Sequence, residues 1–179
     1  WNIEVPIGAA GRLNAGSRVD LYGSLSGGGT FTLHTPYVRA SVIGNWSGFT
    51  GQVNILTDAD GGDWRVGNNL GLPQAAVDLG PMVTGYCILS GNQTLPVGDL
   101  SGSATSVLKA TETGSSAALI TWKVGTRSSD DSVFQGSIRD SSATALCAIE
   151  KVGGASATTG ASAGRAARAA STDGGAVPA

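Results

Sequence analysis

Four segments of this chain share one plan. "GSLSGGGTFTL", "GNWSGFTGQVNI", "GDLSGSATSVL" and "FQGSIRDSSATAL" each set an apolar residue before Ser, Thr or Gly, then a turn, then an alternating apolar pair. A unit this short cannot bury a core alone. Such units must stack, so that neighbours bury a shared one. The chain is thereby restricted to short strands repeated along an axis.

The local pattern agrees. No helical periodicity holds from residue 1 to 155, whereas two-residue alternation recurs. "RVDLYGSL" puts Val19 and Leu21 on one face and Asp20 and Tyr22 on the other. Phe31 pairs with Leu33, Val53 with Ile55, Trp64 with Val66, Val77 with Leu79, and Leu95 with Val97. Ile120, Trp122 and Val124 form a triple. These strands are expected to hold about three to five residues each. The Gly, Asn, Asp and Ser between them supply the positive φ that tight corners need. With 28 glycines and 13 % charged residues in 179, the chain reads as one all-β domain. The expected fold is a right-handed parallel β-helix over residues 1–154, each coil carrying two or three short strands. An antiparallel sandwich would show longer strands and clearer two-residue hairpin turns. Residues 155–179 hold one large apolar residue, Val177, and are expected to form a flexible low-complexity linker or tail.

Composition also limits function. A net charge of -2 gives no basic surface for nucleic acid. No apolar run approaches the length of a membrane span. Trp1 opens the chain without a charged start or an apolar segment, so it reads as an excised domain or mature fragment. Cys87 and Cys147 sit in apolar runs and read as buried thiols, with a disulfide as the alternative. Together with the single His34 they do not complete a zinc site.

"GNWSGFTGQVNI", "GGDWRVGNNLGLPQAAVDLG", "LSGNQTLPVGDLSG" and "SVFQGSIRDSSATALCAIEKVG" resemble bacterial β-helix segments of the autotransporter-associated strand-repeat type. The resemblance covers most of residues 15 to 153. Within that group the chain is similar to the β-helical carbohydrate-binding modules attached to xylanases, family eighty-nine of that classification. The resemblance implies a β-helix that binds xylan or a related plant polysaccharide without catalysis, secreted or at the cell surface. It carries no catalytic residue across.

Two sets of residues are candidates for such a role. "TDADGGD" gathers Asp58, Asp60 and Asp63. Clustered carboxylates with small neighbours can wrap calcium, although an EF-hand loop would want Glu where Asn69 stands. A solvated turn with Asx bonds, or contacts to sugar hydroxyls, are the other readings. The rings matter more, because a pyranose lays its apolar face on an exposed aromatic. Phe31, Phe49, Trp122 and Phe134 share faces with Val, Leu or Ile and belong to the core. Trp64 is in phase with Val66; core is its stronger reading, and it stays a sugar candidate. Tyr22, Tyr37 and Trp46 are expected as exposed platforms, with Arg39, Asp20 and Asn45 as hydroxyl partners. In a β-helix, rings one coil apart would form a strip that tracks a chain.

The leading expectation is therefore a non-catalytic module that holds an attached hydrolase, such as a xylanase, at its substrate. A structural or adhesive β-helix of a surface protein is the alternative. A small calcium-dependent lyase, using the three aspartates and Arg65, is the third.

Overall fold

The computed structural model describes residues 1–35, 38–58, 60–112, 116–127 and 132–152, with the backbone alone of 169–171. The chain winds in coils. The first carries β1 (Ile3–Val5), β2 (Ala10–Asn14) and β3 (Val19–Leu21). The second carries β4 (Leu25–Gly27), β5 (Thr30–His34) and β6 (Arg39–Val42). Four coils of paired strands follow: β7 (Gln52–Leu56) with β8 (Gly62–Val66), β9 (Leu72–Leu79) with β10 (Val83–Cys87), β11 (Gln93–Gly102) with β12 (Val107–Thr111), and β13 (Ala118–Val124) with β14 (Ser137–Arg139). β15 (Ala145–Lys151) and β16 (Ala169–Ser171) complete the order.

Equivalent strands of successive coils stack in parallel into three walls. One is the eight-stranded sheet β16-β15-β13-β11-β9-β7-β5-β2, and a second is the six-stranded sheet β14-β12-β10-β8-β6-β3. The third begins with β1 on β4; the eight-stranded sheet bends into it within β9 and β11, so that β13 and β15 continue it. The fold is an all-β parallel β-helix, as the alternation predicts. No helix among the described residues is long and apolar enough to cross a membrane.

Register turns sequence into columns. Gly11, Phe31, Val53, Val77 and Leu100 lie one above another inside the eight-stranded wall. Ala40, Trp64, Gly85 and Leu108 do so inside the six-stranded wall. Large residues are followed by small ones within a column. A Cβ on Gly85 would sit 3.1 Å from Trp64 Cε3 and 3.2 Å from Leu108 Cδ1. Gly85 is thus the space into which the Trp64 indole fits, and Trp122 packs at 5.9 Å on another side of that ring. The pairs read from alternation are buried, as are Phe49 and Phe134, except that Val19, beside buried Leu21, is half-buried. Burying each such side chain contributes about 1.5–3 kcal/mol.

One expectation changes. β9 and β11 have 8 and 10 residues, longer than alternation suggested. The pairing of β11 with β9 shifts between Val97 and Asp99, where the strand rounds a corner: Gln93–Val97 carry β13 on one wall, and Asp99–Gly102 stack on β9 and β7 in the next. In the stretch expected to be a linker, Ala169–Ser171 add a parallel strand beside β15. The remainder of 155–179 lies outside the described residues. Cys87 and Cys147 are free and buried. Burial pushes both thiols up, Cys147 to about 12 with the charge of Asp140 adding to it.

Packing of Trp64 into the Gly85 space makes a prediction. Gly85→Val should destabilise the fold by about 1–3 kcal/mol through overpacking. Combining it with Trp64→Phe should return more than about 0.5 kcal/mol of the summed single losses. Urea unfolding of the three variants measures this, and strict additivity would refute the shared column.

Candidate functional site

The outer face of the six-stranded wall gathers most of the exposed chemistry. Its inward residues are Leu21, Val42, Val66 and Cys87, so their chain neighbours face out. Two outward columns result. Arg39, Asp63 and Thr84 form one; Asp20, Ser41, Arg65 and Tyr86 form the next. An Arg39 Nη1 hydrogen bond joins Asp20, and the same nitrogen donates to Ser41 Oγ at 2.6 Å. Arg65 Nη2 donates to Asp63 Oδ2 at 2.9 Å. Its two terminal nitrogens also grip Glu112, at 3.0 and 3.3 Å. Tyr86 Oη donates to Asp63 Oδ2 at 2.7 Å, and the Arg65 guanidinium lies 5.0 Å from the Tyr86 ring centroid. Arg and carboxylate, placed by register, thus form a braced lattice.

The electrostatics follow. Hydrogen bonds from Arg39 and then Ser41 lower the pKa of Asp20. Burial and then the bond to Asp63 raise that of Tyr86. Burial works against the charge of Arg65, but Asp63, Tyr86 and Glu112 outweigh it and the pKa rises.

Beside this lattice runs an apolar column. The residues after Leu21, Val42, Val66 and Cys87 are Tyr22, Ile43, Gly67 and Ile88. Stacking bonds carry the register through them, from Ile43 N to Leu21 O, Gly67 N to Val42 O and Ile88 N to Val66 O. Tyr22 is 72 % exposed and Ile88 39 %. Ile43 and Ile88 close over Gly67, where a Cβ would lie 3.2 and 3.1 Å from their side chains. The column runs into a cavity of about 330 Å³ lined by Ile88, Leu89, Ser90, Thr111, Glu112 and Ser116, among others. At the opposite end the backbone of Trp1, 65 % exposed, lies on Gly23, next to Tyr22.

The sequence-predicted residues divide. Tyr22, Asp20 and Arg39 are brought together on this face. Asn45 is exposed at the corner beyond it, where its Oδ1 accepts from Ser47 N at 2.9 Å and Ser47 Oγ at 2.7 Å. Trp46 is not a platform. It is 2 % exposed, meets Phe31 edge-on at 5.6 Å, and donates Nε1 to Gly23 O at 3.2 Å. The polar neighbours that flagged it, Asn45 and Ser47, belong to the turn that folds the ring inward. Trp64 is fully buried, because register puts it in the Ala40–Gly85 column. Its Nε1 has no hydrogen-bond acceptor among the described residues. Tyr37 lies outside the described residues.

The proposed calcium cluster does not assemble. Asp58 pairs with His34 Nε2 at 3.0 Å, beside the eight-stranded wall. Asp60 is exposed in the turn, and Asp63, inside β8, is committed to Arg65 and Tyr86. A corner of the coil separates the carboxylates. Among the described residues no group of three His, Cys, Asp or Glu converges on a metal position.

Sequence reading missed Tyr86, Glu112, Ile43, Ile88 and Trp1. Glu112 is 47 residues from Arg65, two coils away, a distance that carries no local signal. Tyr86 was hidden in the apolar run "GYCILSG", where only the inward phase of Cys87 marks it as outward. Comparison with protein-family models, with curated proteins and with solved structures gave no match.

The arrangement offers a narrow apolar strip along the axis, edged by fixed carboxylates and guanidinium groups. Its integrity can be read from Tyr86. A raised folded pKa leaves its contribution to stability full below 10.0, the ordinary value, and lost as pH climbs from there toward the folded value. Alkaline titration followed by ultraviolet absorbance should show a phenol that ionises only when the fold opens. Tyr86→Phe should remove that last step and keep the earlier ones; loss of an early step instead would contradict the buried bond to Asp63.

Proposed function

We propose that this chain is a non-catalytic β-helical module that binds a plant cell-wall polysaccharide, xylan or a close relative, on the outer face of its six-stranded wall. The column Tyr22–Ile43–Gly67–Ile88 is the observation that carries this reading. Equivalent residues of stacked coils repeat about every 4.8 Å. That rise is close to the advance of one unit in an extended β-1,4-linked glycan. A chain lying along the axis therefore meets an equivalent position at each sugar. Apolar sugar faces rest on Tyr22 and the isoleucines, while Asp20, Arg39 and Asp63 offer planar hydrogen-bonding groups to the hydroxyls at the edge. Because the lattice already holds those groups, little side-chain entropy is lost on binding. The strip is open and buries one side of the ligand, so affinity is modest. The module acts outside the cell or at its surface, keeping an attached glycoside hydrolase such as a xylanase near its substrate.

A second reading is a structural or adhesive β-helix segment of a bacterial surface protein. The observation in its favour is that Arg39, Arg65 and their carboxylates satisfy one another.

Native gels containing soluble xylan, β-glucan, pectin or mannan, each with and without chelator, separate the two. Retardation by xylan that chelator leaves unchanged is expected. Tyr22→Ala should weaken it at least severalfold while changing stability by less than about 0.5 kcal/mol. Trp46→Ala should instead cost about 3–5 kcal/mol of stability, as a buried ring does. Absence of retardation in every gel would leave the scaffold reading.

A further inference from the structure

A second axial surface lies on the other side of the third wall. Where that wall meets the eight-stranded sheet, successive coils turn through Gly8, then Gly28 and Gly29, then Gly51. Backbones touch at this corner. Gln52 N donates to Gly29 O at 3.0 Å, and Ala76 N donates to Gly51 O at 3.0 Å. A Cβ on Gly51 would fall 1.9 Å from Gly29 O. Stacking therefore excludes side chains from the corner at Gly29 and Gly51. The space left runs along the axis as two flanking strips of about 570 and 430 Å³ that share Gly28 and Arg127.

The groove has a consistent lining. Residues just before the turns contribute Ile7, Thr50 and Gln74. Residues just after them contribute Thr30, Gln52 and Ala76. Arg127 stands at one end, its Nε 3.9 Å from Asp99 Oδ2. Hydroxyl and amide groups thus recur on both sides of a floor without side chains, one coil apart, with small apolar patches between. Both donors and acceptors are present, and the spacing is the same coil rise that matches a glycan on the first face. A flat hydroxyl-rich chain fits this lining; a peptide helix, too wide for a floor one backbone deep, does not.

We propose that this groove is a second polysaccharide site, so that one module holds two glycan chains side by side. The inference rests on the preceding reading that the module binds polysaccharide. Tyr22, at the end of the first coil, and Gly28, on the second, are six residues apart, at most about 20 Å along the chain. Both surfaces follow the stacking axis, so the two ligands run parallel and the module bridges them. Bridging adds avidity on an insoluble wall without any tighter single contact.

Titration calorimetry of the full chain with xylohexaose, together with turbidity on soluble xylan, tests the proposal. Two equivalents per chain are expected, falling to one in Tyr22→Ala and to one in Gln52→Ala/Gln74→Ala. Turbidity should be lost in both variants, with circular dichroism unchanged. A single equivalent that Tyr22→Ala abolishes and the groove variant leaves intact would overturn the second site and sustain the first. No binding of fragments of xylan, β-glucan, pectin or mannan would overturn the underlying reading, and the bridge with it.

Discussion

Everything in this molecule depends on the fixed rise between stacked coils. Parallel hydrogen bonds hold neighbouring strands about 4.8 Å apart, and that distance cannot change to suit a side chain. Each inward column must therefore share a constant volume among its members. Trp64 is accommodated because Ala40 and Gly85 precede and follow it. Phe31 is accommodated because Gly11 lies on one side and Val53 on the other. At the corners the same rise brings backbone against backbone, as at Gly51 on Gly29, and glycine is required there.

The outside of the molecule inherits the same order. A strand that aims Leu21, Val42, Val66 and Cys87 inward must aim their neighbours outward in equally straight columns. The face bearing Asp20, Arg39, Asp63, Arg65 and Tyr86 is a by-product of core stacking, specialised by residue choice. Its rigidity has two sources: the register, which sets the spacing, and the Arg–carboxylate bonds, which set the rotamers. Under the proposed function that rigidity matters, since a ligand meeting a prearranged surface loses less freedom than one that must order it.

The wound, stacked architecture was legible because alternation with glycine-rich corners admits few other solutions. Strands with two large inward residues, such as Phe31 with Leu33 or Val53 with Ile55, could be found one by one. β2 and β6 could not, because Gly11 and Ala40 take the small share of a column and blank the apolar signal; at β10 Gly85 does the same, and only the apolar run around Cys87 marks the strand. Part of the site was legible for the same reason. Tyr22 and Asp20 stand opposite Val19 and Leu21, and phase alone put them outside. Trp46 misled because a polar neighbourhood in sequence was a turn in space, and the ring it carries seals the third wall against Phe31. The three aspartates misled because six residues of chain span a corner, which sends Asp58 and Asp63 to different walls. Arg65 with Glu112 was out of reach, since their meeting depends on the coil length, and coil length is not constant.

That inconstancy has its own effect. Ala10 pairs with Thr30, twenty residues on, whereas Val97 pairs with Val124, twenty-seven residues on. Between those pairs the strands keep register residue by residue, Gln93–Val97 on Ile120–Val124 as Ala10–Asn14 on Thr30–His34. The extra residues are therefore taken up in the connections, outside the paired walls. A stacked fold of this kind can lengthen or exchange a connecting loop on one coil while the columns above and below it stay in place.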